Sequence, residues 1–116
     1  MARLSIRIDL EPEGRIGPGK IALLERIEAA GSISAAGRDL GMSYRRAWLL
    51  VEALNGLFDG PVVTTQTGGS HGGGARLTVL GRELVACYRD LEREAEALAA
   101  AKLAGLEARL SRRSPP

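Results

Sequence analysis

The chain has 116 residues, 45% apolar and 26% charged, with a formal charge of +2. That suits one globular domain with its own core, and no run of about 18 apolar residues offers a membrane span. One cysteine, Cys87, excludes an internal disulfide, and the N-terminus lacks a signal-peptide apolar region, so a cytoplasmic protein is expected. Only Tyr44, Trp48, Phe58 and Tyr88 are aromatic, so the core must come from Leu, Ile, Val and Ala.

Leu4 to Leu10 alternates apolar and polar residues, the pattern of a half-buried strand. Glu11 to Gly19 is rich in Gly and Pro and reads as a turn region. Lys20 to Ala30 places Ile21, Leu24, Ile27 and Ala30 on one helix face, with Pro18 in the first turn and Gly31 as the stop. Ser32 caps a short second helix that starts near Ile33 or Ser34 and ends at Gly41. Ser43 caps a third, whose inward positions are Ala47, Leu50, Val51, Leu54 and Leu57. Pro61 forbids its continuation. Val62 to Thr67 is β-branched and reads as a strand, and Ala75 to Leu77 as its return. Between them, five of the seven residues from Gly68 to Gly74 are glycine. Thr78 caps a last, long helix from Val79 to about Arg109, with Leu84, Tyr88, Leu91, Ala95 and Leu98 spaced like a coiled-coil seam. Ser111 to Pro116 reads as a disordered tail.

This order of elements is that of a winged helix-turn-helix. The expected fold is mostly α (α+β): an N-terminal strand, a β-hairpin wing and a long C-terminal dimerisation helix, in one domain over 1–110. The helix-turn-helix occupies about 32–59, the wing about 62–77 and the dimer helix about 79–109. In such motifs the N-terminal end of the third helix enters the major groove. Here it carries Ser43, Tyr44, Arg45 and Arg46. An arginine there can bind guanine O6 and N7 with both arms, worth about 1–3 kcal/mol of discrimination. The bland alternative is a small helical domain whose Arg pair only solvates a surface. A glycine loop at the wing tip lets backbone N–H groups approach phosphates closely. Thr67, Ser70, His71 and Arg76 would add contacts there, and Ser32 and Ser34 at the second helix. Fourteen of the sixteen basic residues are Arg, the better phosphate and base-edge ligand.

The blocks GSIS, LGMSYRRAW, EALN, TGGSHGGGARLT and LGRELVACY together resemble the N-terminal DNA-binding domain of ModE-type molybdate-responsive regulators, related to the LysR-type helix-turn-helix. The resemblance covers Leu4 to Leu98. It implies a homodimer joined through the first and last helices, bound to an inverted-repeat operator, with Leu24 joining Leu84, Tyr88, Leu91, Ala95 and Leu98 at the interface. Full-length members also carry molybdate-binding domains. These 116 residues leave no room for one, so molybdate sensing is not carried over, and a separate effector-binding protein stays open.

Other motifs lead elsewhere. Gly14 to Ile21, GRIGPGKI, resembles a phosphate-binding P-loop, but Ile21 replaces the Mg²⁺-ligating hydroxyl and Pro18 removes an N–H. His71 and Cys87 are each alone of their type, which suits neither a metal site nor a nucleophilic pair. Cys87 reads as a packed or interface residue. Glu92 and Glu96 read as a solvated face, and Trp48 as core packing rather than base stacking. No enzyme activity, cofactor or metal is expected. The partners expected are double-stranded DNA and a second copy of the chain, in the cytoplasm and on the nucleoid. The alternative is a winged-helix protein-interaction module without DNA binding.

Overall fold

A computed structural model describes residues 3–66, apart from 11 and 13, and residues 74–111. The described residues form strands β1 (Ile8–Leu10) and β2 (Gly14–Ile16), helices α1 (Pro18–Ala30), α2 (Ile33–Asp39) and α3 (Tyr44–Asn55), strands β3 (Val63–Gln66) and β4 (Gly74–Leu77), and helix α4 (Val79–Glu107). The fold is α+β and mostly helical, a winged helix-turn-helix. Helices α2 and α3 are its helix-turn-helix, and the antiparallel pair β3–β4 is its wing.

Burial alternates along the N-terminal arm as the sequence predicts: Leu4, Ile6, Ile8 and Leu10 are half-buried, and Arg3, Ser5, Arg7 and Asp9 are exposed. Only Ile8–Leu10 is laddered, however. Its partner β2 lies inside the segment expected to be all turn, with Ile8 opposite Ile16 and Leu10 opposite Gly14. Ile16 is the only apolar side chain in β2, and it is buried. One apolar residue makes no alternation, which is why the strand escaped the pattern.

Helix α1 is the centre of the core. It packs on α2, β4 and α4, and Ile21, Leu23, Leu24 and Ile27 are all inaccessible to solvent. Neighbours on several sides bury Leu23, which lies off the expected stripe. Ala30, expected inward, is exposed at the helix end. Gly31 closes the helix in the left-handed conformation (φ 72°) and returns its N–H to Ile27 O at 2.8 Å. Its carbonyl accepts the Ala75 N–H at 2.9 Å, which ties α1 to the wing.

The turn between α2 and α3 rests on Gly41, whose φ of 71° is costly for any residue with a Cβ. It lets the Met42 N–H reach back to Gly37 O at 2.9 Å. A Cβ on Gly37 would stand 3.0 Å from Ala47 Cβ, so α2 and α3 cross closely. Ala47, Val51 and Leu54 of α3 are buried, and Leu50 and Leu57 are half-buried against them.

The wing is fixed from both ends. Asn55, the last residue of α3, uses its whole carboxamide: Oδ1 accepts the Val62 and Val63 N–H groups at 2.8 and 3.0 Å, and Nδ2 donates to Val63 O at 3.1 Å. Thr78 Oγ1 donates to Pro61 O at 2.7 Å and accepts the Gly81 N–H at 3.0 Å, capping α4. Gly81 then lies so close to Val62 that a Cβ would stand 2.2 Å from the Val62 carbonyl oxygen.

Helix α4 holds to the body through its first half. Leu80, Leu84 and Val85 pack on the core. Tyr88 is buried, and its hydroxyl donates to Ile6 O at 2.6 Å, a contact spanning 82 positions of sequence. Burial, then the charge of Glu92, raises its pKa, so the phenol keeps the proton it donates. The adjacent Arg89 grips Glu25 of α1 with two nitrogens, at 2.6 and 3.1 Å, and reaches Glu92 at 2.8 Å. Glu92 is therefore not a merely solvated carboxylate. Beyond Tyr88 no residue of α4 is buried, so the helix, about 43 Å long at 1.5 Å per residue, runs past the core.

Two residues expected at a dimer seam are spent inside the protomer. Leu24 is 0% and Tyr88 2% exposed, leaving neither a surface to offer a second copy. Cys87, expected to be packed or at an interface, is exposed in the protomer. The expected glycine-loop tip and tail fall on 67–73 and 112–116, outside the described residues.

The glycines of α4 give a direct check on this packing. Gly81→Ala adds a methyl group against a backbone carbonyl and is expected to destabilise the fold by about 1–3 kcal/mol or more. Gly105→Ala meets nothing within 4 Å and should be neutral or stabilise by up to about 1 kcal/mol. Thermal unfolding of the two variants beside the parent reads both.

Candidate nucleic-acid interface

Helix α3 starts at a capped end. Ser43 has extended backbone (φ −68°, ψ 157°), and its Oγ accepts the Arg46 N–H at 3.1 Å. Ser32 serves α2 in the same way, accepting the Ala35 N–H at 3.1 Å. Both serines thus orient helices. With Ala47, Val51 and Leu54 turned into the core, a 100° step per residue sends Arg45, Leu49 and Glu52 to the outside. All three are exposed.

The two flanks of α3 each border a groove. On one side Tyr44 and Trp48 line a groove of about 380 Å³ with Ser32, Ile33 and Ser34 of the α2 start and Thr65, Gln66, Gly74 and Ala75 of the wing. Tyr44 is 59% exposed and stands edge-on to Trp48, with ring centroids 6.1 Å apart. Trp48 is half-buried against the core, as expected, yet also forms groove wall. Its indole N–H is buried without an acceptor among the described residues. On the other flank Arg46 and Leu50 border a second groove, with Met42, Arg7, Arg15 and Gly17 to Lys20. Among the described residues no acidic side chain lines either groove.

The wing supplies a third surface. Its register sets Thr64 opposite Arg76 and Thr65 opposite Ala75. Val63, Ala75 and Leu77 face the core, while Thr64, Thr65, Gln66 and Arg76 are exposed. Arg76 and Thr64 border a shallow hollow of about 280 Å³ with Gly31, Gln66 and Gly74.

The expected DNA-facing residues therefore divide. Ser32, Ser34 and Tyr44 meet in one groove, Arg45 stands outermost, Arg46 turns to the opposite flank, and Arg76 sits on the wing's outer face. Thr67, Ser70 and His71 lie outside the described residues. Leu49, 52% exposed on the outward line of α3, and the groove-lining Thr65 and Gln66 were not among the expected DNA-facing residues. An apolar side chain at that place can contact a thymine methyl. The helical period that placed Ala47 and Val51 inward also puts Leu49 outward, so the signal was present.

On α4, Leu84 packs on the protomer's own core, whereas Leu91 and Leu98 are 42% and 58% exposed. Ala95 lies between them, Leu106 continues the apolar stripe at 61% exposure, and Leu110, 68% exposed, follows just past the helix end. Among the described residues no helix is long and apolar enough to cross a membrane, and no three His, Cys, Asp or Glu side chains gather as metal ligands.

No family model matches the chain. Curated relatives do. It is 50% identical over 78 residues to the molybdenum-pterin-binding protein MopB of Rhodobacter capsulatus, covering 67% of this chain and 29% of that protein. It is 40% identical over 94 residues to the molybdenum transport protein ModE of Azotobacter vinelandii, covering 81% and 34%. To the DNA-binding transcriptional dual regulator ModE of Escherichia coli K12 it is 37% identical over 87 residues, covering 75% and 33%. Over these stretches the chain is ModE-like. It spans about a third of the length of the curated relatives it matches.

The cap of α3 is open to a simple test. Ser43→Ala is expected to cost about 0.5–2 kcal/mol in thermal unfolding, and Ser43→Asp, which keeps an acceptor, to restore most of it.

Proposed function

We propose that this chain is a sequence-specific double-stranded DNA-binding transcriptional regulator that acts as a homodimer on an inverted-repeat operator in the cytoplasm. The observation that carries the reading is the capped start of α3, which holds Arg45 outward between two grooves lined by no acid among the described residues, with the wing beside one of them. The likeness to ModE of Escherichia coli, named as a DNA-binding transcriptional dual regulator, supports it.

In this reading α3 lies in the major groove. Arg45 reads guanine O6 and N7, Leu49 packs on a thymine methyl, and Tyr44 and Ser34 reach the adjoining backbone. The wing follows the neighbouring phosphates through Thr64 and Arg76, with Thr67, Ser70 and His71 as further contacts. A second copy of the chain covers the stripe Leu91, Ala95, Leu98, Leu106 and Leu110. Two-fold pairing then sets half-sites about one helical turn apart, or a multiple of it. We assign these residues the DNA-reading part of a regulator's work, with no catalytic role and no cofactor.

The exposed stripe on α4 also suits a second reading, a protein-interaction module that binds no DNA. Salt separates the two. DNA binding weakens with a log–log slope of about −0.9 per phosphate contacted, whereas apolar docking is nearly indifferent to salt.

Selection of bound sequences from random duplex DNA by the purified chain is expected to enrich an inverted repeat. Arg45→Ala should relax preference at one base pair per half-site, losing about 1–3 kcal/mol, or roughly 5- to 150-fold, in discrimination. No enrichment by the parent chain, at low as at moderate salt, would refute the regulator reading.

A further inference from the structure

The groove on the far flank of α3 is lined by Arg7, Arg15, Lys20 and Arg46, four cations and, among the described residues, no acid, around a volume of about 290 Å³. These residues come from β1's approach, β2, α1 and α3, far apart in sequence. The hairpin register brings the first two together: Ile8 opposes Ile16, so Arg7 lies beside Gly17 at the open end of β1–β2. A Cβ on Gly17 would touch the Arg7 side chain at 3.6 Å. Lys20 Nζ donates to Arg15 O at 2.6 Å, which pins its ammonium at the groove while two of its donors remain. The only carboxylate on these four among the described residues is Asp9, 3.2 Å from Arg15 Nε, in a pair 63% and 71% exposed. Such a surface pair is worth about 0–1 kcal/mol and yields readily to another anion.

Four like charges crowded on one surface repel each other, and an anion between them relieves that. The anion must suit arginines, which favour phosphate oxygens. It must also be extended, because the cations are spread along a groove open to solvent. The groove is continuous with α3 through Arg46, Leu50 and Met42. The stretch GPGK lines this groove without being a nucleotide loop: Ile21, where a Mg²⁺-binding hydroxyl would stand, is sealed in the core.

We infer that this groove is a second phosphate clamp. It takes the DNA backbone on the side of α3 opposite the wing, with Arg7, Arg15 and Lys20 extending the footprint beyond the bases that α3 reads. The inference rests on the DNA-binding reading above. It gives the recognition helix a backbone contact on each side, wing on one and β1–β2 hairpin on the other. The contact is sequence-independent, so it governs affinity, salt dependence and footprint length without altering which bases are preferred.

The test compares the parent chain with Arg7→Gln/Arg15→Gln on the duplex that the parent selects, with binding measured over a series of salt concentrations. The log–log slope of the double variant is expected to be shallower by about 0.9 for each phosphate that it no longer neutralises, its low-salt affinity weaker and its selected sequence the same. Arg7→Lys/Arg15→Lys should recover the slope. Arg93→Gln/Lys102→Gln, which removes two charges from the part of α4 beyond Tyr88, should leave it unchanged. If the double glutamine variant keeps the parental slope and affinity, the clamp is overturned and the base-reading role of α3 stands. If the control pair lowers the slope equally, the effect is one of net charge, and the clamp is likewise overturned. If the parent itself selects no sequence, the DNA-binding reading fails and the clamp with it.

Discussion

One side chain holds α3 and the wing in register. Asn55 ends α3 and, with three hydrogen bonds from one carboxamide, fixes the first residues of β3. A backbone N–H or C=O buried without a partner costs about 1–3 kcal/mol, so the Val62–Val63 corner would be expensive without Asn55. The same corner takes α4 from the other side. Thr78 N–H donates to Val62 O at 2.9 Å, and the bare backbone of Gly81 closes over that carbonyl. Helix α3, the wing and α4 therefore meet at Val62. None can shift without breaking one of these hydrogen bonds or parting Gly81 from Val62.

That corner fixes how the outward face of α3 sits relative to the wing. Arg45 projects from a helix whose start is capped by Ser43 and whose end is held by Asn55. The wing strands are anchored at their base by the core side chains Val63, Ala75 and Leu77 and by the Gly31–Ala75 hydrogen bond. Behind them, α1 is sealed on several sides, so the body has no easy direction in which to yield. Tyr88 and Arg89 fasten α4 to the N-terminal arm and to α1 at neighbouring positions. The rest of α4 then projects its apolar stripe away from the body, so pairing through it would set the spacing between two copies of α3.

Much of this was legible in the sequence because it is local. The caps at Ser32, Ser43 and Thr78 follow from a hydroxyl just before a periodic run, and Gly31 and Gly41 from stops where φ turns positive. The helix period placed Ala47, Val51 and Leu54 inward correctly. What escaped was long-range. β2 is a strand because β1 lies beside it, and its own three residues say little. Leu24 and Tyr88 fit a helix stripe, but period alone cannot tell a stripe facing the protomer's core from one facing a partner. Asn55 looked like a helix end, and its work lies seven and eight residues downstream. Gly81 reads as a poor helix former until Val62 is packed against it. The basic groove stayed hidden because its four cations are scattered between positions 7 and 46 and converge only in the fold.

The most direct test of the central claim is methylation interference on the duplex that the chain selects. Guanine N7 lies in the major groove and is the atom that Arg45 is expected to read. Methylating it blocks that contact while leaving the minor groove and the phosphates as they were. The account predicts that duplexes methylated at guanines in symmetric half-site positions are depleted from the bound fraction. A bound fraction that tolerates N7 methylation throughout the site would contradict it, because α3 would then not be reading the major groove.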